Sequence, residues 1–214
     1  MKHLAAAAAL ALPLLTATPA LAVVINIDFE TPTSFASIDR HYAGGTDSNG
    51  VAGANLGVTF GLDVLALRND AAGTYFSNAP SPLGVMTAVG GDAAMNVGLG
   101  FTSLSMQYSS SAAIFNGVQL WSGLDGTGSL LASLSLSANA KAGGCSDSPL
   151  CNFSGLSAAS FGVARSVTFG NAAANAVFDN LSVTVVPEPG SALLMALGVA
   201  AFVGRGLRGR SLGR

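Results

Sequence analysis

The strongest constraint on this chain is a period of two. In Thr102–Tyr108, Leu104, Met106 and Tyr108 alternate with Ser103, Ser105 and Gln107. Val118 and Leu120 alternate with Gln119 and Trp121, and Leu134 and Leu136 with Ser133 and Ser135. Successive side chains of an extended backbone point to opposite faces, so this spacing makes strands with one apolar and one solvated face. The Gly-rich link Ser122–Gly128 joins two such runs and reads as the loop of an antiparallel hairpin. Phe161–Gly170 and Val177–Val186 repeat the pattern. Earlier in the chain, Val23–Phe29 predicts a strand with Ile27 and Phe29 on one face and Asp28 and Glu30 on the other. Leu56–Arg68 predicts one or two strands bent near Gly61. Gly84–Val89 and Ala93–Leu99 predict two short strands separated by Gly90-Gly91-Asp92. Thr31–Asn55 and Asn69–Pro82 are polar, punctuated by Gly and Pro, and read as loops. The spacing predicts about eight to ten short strands and no helix before the C-terminal segment, which is an all-β chain. The expected architecture is a two-sheet antiparallel β-sandwich, jelly-roll-like.

The two ends are different in kind. Met1–Ala22 has a basic start at Lys2, an apolar run Leu4–Leu15 and a small-x-small site at Ala20-Leu21-Ala22. That is the form of a secretory signal peptide, and the apolar run is too short for a retained span. At the other end, Pro187 and Pro189 flank Glu188 and halt the last alternating run, because proline neither donates to a ladder nor sits inside a helix. Ser191–Val203 is uncharged and apolar. Arg205, Arg208, Arg210 and Arg214 follow with no acid among them. A break, an apolar helix and a basic tail form a membrane stop with the arginines on the cytoplasmic side. The organisation expected is therefore a signal peptide at 1–22, a β-sandwich at 23–186 and a C-terminal segment at 187–214 with a single transmembrane helix.

This ending resembles the PEP-CTERM sorting signal of exopolysaccharide-producing bacteria, through Pro187, Glu188, Pro189, the apolar stretch and the arginine tail. The resemblance implies recognition and processing by exosortase, a membrane protease-transpeptidase. It implies an inner-membrane-anchored precursor that later reaches the cell surface or extracellular matrix. The body resembles the β-sandwich domains of such proteins, which look like carbohydrate-binding modules. The residues that carry this second resemblance are Ile27-Asp28-Phe29-Glu30, the hairpin segment Trp121–Gly128 and Phe178-Asp179-Asn180-Leu181.

Charge narrows the partners. Between residues 23 and 186 the chain has ten acidic side chains against Arg40, Arg68, Lys141 and Arg165, a formal charge of −6. Nucleic acid binding needs clustered Lys and Arg to displace counterions, and nothing here supplies them. Val, Leu, Ile and Phe recur throughout, unlike a disordered chain.

Cys145 and Cys151 are the chain's two cysteines. An exported chain meets an oxidising compartment, so the pair is expected to form a disulfide. No other Cys and no His lies near enough in sequence to suggest a metal site there.

Catalytic signals are sparse. His41 is the one histidine of the mature chain, in a polar loop without a nucleophile motif, and reads as an exposed loop residue. No catalytic residue is assigned, and the chain reads as a non-enzyme. A glycan-active hydrolase, built on paired carboxylates, is a further alternative. The best ligand constellation is Asp28 and Glu30 on the first strand with Asp179 and Asn180 on the last. First and last strands of a sandwich are often neighbours, and calcium takes several oxygen ligands of these kinds. The resemblance to carbohydrate-binding modules implies the same, a structural calcium held by terminal residues. Phe178 and Leu181 are three apart, which predicts a β-bulge at Asp179-Asn180 that re-aims the carboxylate. Trp121, Tyr42, Tyr75 and Tyr108 are candidates for stacking on sugar rings.

The function expected is a non-enzymatic surface or extracellular-matrix protein, sorted by exosortase and associated with exopolysaccharide in a biofilm. A carbohydrate-binding adhesin, with polysaccharide as partner, is the alternative.

Overall fold

The structure is a computed structural model that describes residues 22–71 and 73–185. The expected signal peptide and the C-terminal segment from residue 186 lie outside the described residues. Among the described residues, nine strands form: β1 (Val23–Ile27), β2 (Val58–Phe60), β3 (Val64–Arg68), β4 (Gly84–Ala88), β5 (Ala94–Ser110), β6 (Ile114–Trp121), β7 (Leu130–Leu136), β8 (Ser154–Thr168) and β9 (Ala176–Val185). Two single 3-10 turns, Ala142–Gly144 and Gly170–Ala172, complete the regular structure. Every strand pairing is antiparallel. The all-β expectation holds, and β6–β7 is the expected hairpin.

All nine strands belong to one hydrogen-bonded sheet, in the order β3-β4-β9-β5-β8-β6-β7, with β1 on β9 and β2 on β5. The reason lies in two long bent strands. Ala93–Leu99 and Thr102–Tyr108 read as separate strands, but they are one 17-residue element. Its register shifts between Asn96 and Phe101, around Gly98 and Gly100. Before the bend, β5 pairs with β2 on one side; beyond it, the same side pairs with β9. β8 bends in step, with Ala159 opposite Ser103 but Ala164 opposite Phe101. Glycines that read as a strand break are thus corners at which a ladder changes direction. The sheet closes over one main core in a sandwich-like arrangement.

The core follows the alternation. Leu104, Met106 and Tyr108 are buried, while Ser105 between them is exposed. They meet Val118 and Leu120 of β6, Val167 of β8 and Phe178 of β9 in one cluster. Phe169 and Phe178 stack at a tilt, with centroids 4.9 Å apart. Each fully buried Phe, Leu or Val contributes about 1.5–3 kcal/mol relative to an exposed position. A smaller cluster of Leu67, Phe76, Val85 and Val177, flanked by Leu150 and Phe153, lies apart from it.

Candidate functional site

β1 and β9 are neighbours as expected, in register from Val23 opposite Val185 to Ile27 opposite Leu181. The outer edge of β9 changes partner along its length: Val177 and Phe178 pair with β4, and Leu181 onward with β1. Asp179 and Asn180 fall in the gap. The expected bulge is there, since Gln107 pairs with Asp179 but Ser105 with Ser182, and Asn180 takes a φ of 47°. The bulge buries the Asp179 side chain completely, with 0% exposure.

Segment 80–84 fills the gap. Ser81 donates its backbone N–H to Asp179 Oδ2 at 2.8 Å and its hydroxyl to Oδ1 at 2.6 Å, and the Asn180 N–H also reaches Oδ1. Glu30 Oε1 accepts from the N–H groups of Leu83 and Gly84 at 2.9 and 3.1 Å. Asp28 Oδ1 accepts the Glu30 N–H at 3.2 Å. Gly84 is obligatory here: a β-carbon would lie 2.2 Å from the Phe29 carbonyl oxygen. Burial pushes the Asp179 carboxyl above the usual range. The Ser81 and Asn180 hydrogen bonds oppose that shift, and the Glu30 charge adds to it.

These contacts bear on the calcium expectation for Asp28, Glu30, Asp179 and Asn180. Glu30 and Asp179 do converge on segment 80–84, while the Asp28 carboxylate takes the N–H of Glu30; donor groups hold both Asp179 oxygens, Glu30 Oε1 and Asp28 Oδ1. At the buried Asp179 carboxylate the positive ends of the Ser81 and Asn180 dipoles take the place of a cation. Asn180 is exposed, outside the cluster's buried centre. Among the described residues, no group of three or more His, Cys, Asp or Glu is placed to hold a metal ion. The cluster is a clasp between strand ends. Sequence reasoning found its carboxylates and missed Ser81, which no local pattern distinguishes from other loop serines.

The excursion between β1 and β2 holds a second polar cluster. His41 is fully buried at 0% exposure, which corrects the exposed loop histidine expected. Its Nδ1 lies 3.0 Å from the Val51 carbonyl oxygen and its Nε2 2.8 Å from Thr31 Oγ1. A carbonyl only accepts, so Nδ1 carries a hydrogen. Gly53 lets the chain pass: a β-carbon there would lie 2.2 Å from the His41 carbonyl oxygen and 2.4 Å from its ring. Asp47, 3% exposed, gathers the N–H groups of Thr33, Asn49 and Val51 at 2.8–3.0 Å. Burial raises its carboxyl, but these bonds outweigh burial and hold it below the usual range. The run Asp47-Ser48-Asn49-Gly50 is the turn chemistry that could have signalled this role. Both imidazole nitrogens are engaged in fastening the loop.

Cys145 and Cys151 are joined in a disulfide. Their loop is tied down by Asn78 Nδ2, which donates to the Cys151 carbonyl at 3.1 Å, and by the Ser77 N–H to the Leu150 carbonyl. Of the aromatic candidates, Tyr42 and Tyr108 are buried and unavailable to a ligand. Tyr42 packs edgewise on Phe29, Phe60 and His41, and burial pushes its phenol up. Tyr75 is half-buried against Phe35. Trp121 is half-buried and donates Nε1–H to Thr168 Oγ1 at 3.0 Å. Its loop is locked to the sheet: Asp125 and Asn96 exchange two hydrogen bonds, and Ser166 Oγ joins the Gly126 N–H to the Gly123 carbonyl. Beside it lies an open cleft of about 360 Å³, lined by Gln119, Asp125, Thr168 and Asn171 among others.

β9 ends at Val185. From that residue to 210, the sequence matches the family model for the PEP-CTERM protein-sorting motif. The chain carries a PEP-CTERM sorting motif. Pro187, Glu188, Pro189, Arg205, Arg208 and Arg210 all fall within the match, although they lie outside the described residues. A PEP-CTERM motif implies an exported protein that is sorted to the cell surface and processed by exosortase. The match begins at the last residue of the last strand. No curated protein and no solved structure matches the chain. Among the described residues, no helix is long and apolar enough to cross a membrane.

Proposed function

We propose that this protein is a non-enzymatic surface or matrix component, exported behind a cleaved signal peptide at 1–22 and held briefly in the inner membrane by its C-terminal segment. The observation that carries the reading is the PEP-CTERM match at 185–210, directly abutting β9. Gly190–Gly204 would form a helix of about 22 Å at ~1.5 Å per residue, short of the ~30 Å hydrocarbon core. Arg205 can extend it by reaching its charge to the interface. A marginal anchor suits an intermediate awaiting exosortase. Association with exopolysaccharide in a biofilm belongs to the same reading. Two features support a non-catalytic body, a jelly-roll-like sandwich: both ring nitrogens of its one histidine are tied into loop hydrogen bonds, and the Glu30 and Asp179 carboxylates fasten segment 80–84 to the strand ends. The test is replacement of Pro187, Glu188 and Pro189 together by alanine in the producing cell. The variant should stay uncut in the membrane fraction; processing and release at the wild-type level would return the segment to an ordinary anchor.

The cleft beside Trp121 favours a second reading, a carbohydrate-binding module. Its amide, carboxylate and hydroxyl groups next to a half-exposed indole match the mixture that sugars require. Glycan-array binding that Trp121→Ala and Asn171→Ala both abolish would support it. Binding unaffected by either substitution would remove it.

A further inference from the structure

We propose that the pole of the body where its two ends meet is a bilayer-facing surface, resting on anionic lipid while the precursor is anchored. The inference rests on the anchoring described above and adds a surface of the folded body to it.

Val23 and Val185 are paired at one end of the β1–β9 ladder, so the body's first and last described strands meet the rest of the chain at the same place. That place is apolar. Val23 and Val24 are 54% and 55% exposed, and Leu99, at the β5 corner, 61%. A groove of about 460 Å³ runs between them, lined by Val23, Val24, Ile25, Leu56, Leu99 and Val185 with two asparagines, and no charged residue lines it. Phe101 pairs with both Val185 and Ala164, which brings the β8 corner to the same pole. There Val163, also exposed, and the stem of Arg165 lie over Gly100: a β-carbon on Gly100 would be 2.4 Å from Val163 Cγ1 and 3.7 Å from Arg165 Cγ. The body has a formal charge of −6, yet this apolar groove has no acid in its lining and one of the four basic side chains at its edge. Contiguous exposed apolar surface marks an interaction site, and a neighbouring cation adds attraction to anionic headgroups.

Chain length selects the occupant. Five residues, 186–190, separate Val185 from the apolar run that begins at Ser191. Fully extended they reach at most about 18 Å. The headgroup layer accounts for roughly 5–7 Å of that on each side of the bilayer. With Ser191–Val203 in the membrane, the pole cannot stand far from lipid, and its apolar side chains are those nearest the surface.

The test uses the full-length precursor in phosphatidylcholine–phosphatidylglycerol vesicles, with Trp121→Phe removing the native tryptophan. Leu99→Trp and, separately, Val24→Trp report on the pole. Phe115→Trp reports on the far end: neighbouring Asn116 is held by Asn171, in the turn that leads into Ala176, the end of β9 opposite Val185. Lipid brominated near the headgroup end of its acyl chains should quench and blue-shift both pole reporters and leave Phe115→Trp unchanged. If the protein floats with the vesicles but neither pole reporter is quenched, the inference is overturned while the anchoring stands. If the protein does not float, anchoring fails and the inference falls with it. A blue shift that needs no lipid and grows with protein concentration would assign the patch to a second copy and equally overturn it.

Discussion

Asp47 and Asp179 are both buried carboxylates that receive backbone N–H groups, yet their acidities move in opposite directions. Asp47 organises the excursion between β1 and β2, a stretch without regular strands. It gathers three backbone N–H groups within one loop, and those bonds favour the charged form more than burial opposes it. Asp179 sits in the bulge between β4 and β1, with Glu30 nearby, and there burial wins. One residue type thus serves a loop as an anion and a sheet junction as a group more easily protonated than usual. Asp47 has more hydrogen bonds to hold its charge, and at Asp179 desolvation outweighs them with the Glu30 charge added.

The largest effects should come from the glycines that each region packs around. Gly84→Ala in the clasp and Gly53→Ala in the excursion each drive a β-carbon to 2.2 Å from a carbonyl oxygen. Relief requires backbone movement, and each should cost about 3 kcal/mol or more in denaturant unfolding. Gly84→Ala should be the worse, because it disturbs strands β1, β4 and β9 together. An equal or smaller loss than Gly53→Ala would break the contrast between junction and loop.

Truncating the carboxylates comes next. Asp179→Ala takes the carboxylate acceptor from the Ser81 and Asn180 N–H groups at a buried site and should cost about 3 kcal/mol, against about 2 kcal/mol for Asp47→Ala at the loop.

The pH dependence of the amide variants sharpens the same contrast. Asp47 has a lowered folded-state value, so its stabilisation is present above the ordinary carboxylate value of about 4 and is lost as pH falls through the folded value. The penalty of Asp47→Asn should therefore shrink toward acid pH. Asp179 has a raised folded-state value. Its stabilisation is complete below about 4 and is lost as pH rises through the folded value. The penalty of Asp179→Asn should shrink in the other direction, toward neutral pH. Parallel slopes in stability measured from pH 3 to pH 7 would contradict the assignment of causes.

Cys145→Ser should destabilise by about 2 kcal/mol without abolishing folding, because the ring closed by the disulfide is short. The smallest effect concerns the clasp. Added chelator should leave the melting temperature unchanged, since hydrogen-bond donors already hold both Asp179 oxygens and Glu30 Oε1. A fall in melting temperature that added calcium reverses would restore the metal site.

The sequence made much of this legible for one physical reason: strand periodicity is local. The faces of Leu104, Met106 and Tyr108, the β6–β7 hairpin and the break in alternation at Asp179-Asn180 could all be read from neighbours alone. The bends of β5 and β8 could not, because a glycine that ends a strand and one that turns a corner look alike until a partner strand is known. The clasp was half legible. Its carboxylates stood out, but the donors to Asp179 and Glu30 come from Ser81, Leu83 and Gly84, far along the chain from both, and hydrogen-bond donors in loops carry no pattern. The buried His41 failed for a related reason: polar composition predicted exposure, whereas the loop folds back through Gly53 and encloses the ring.

The central claim, export followed by sorting through the PEP-CTERM segment, has its most direct test in intact-mass spectrometry of the protein recovered from the surface of its producing cells. The account predicts a chain that begins at Val23, carries the Cys145–Cys151 disulfide and ends close to Pro187-Glu188-Pro189, without Ser191–Arg214. A surface protein that retains its C-terminal arginines would contradict it.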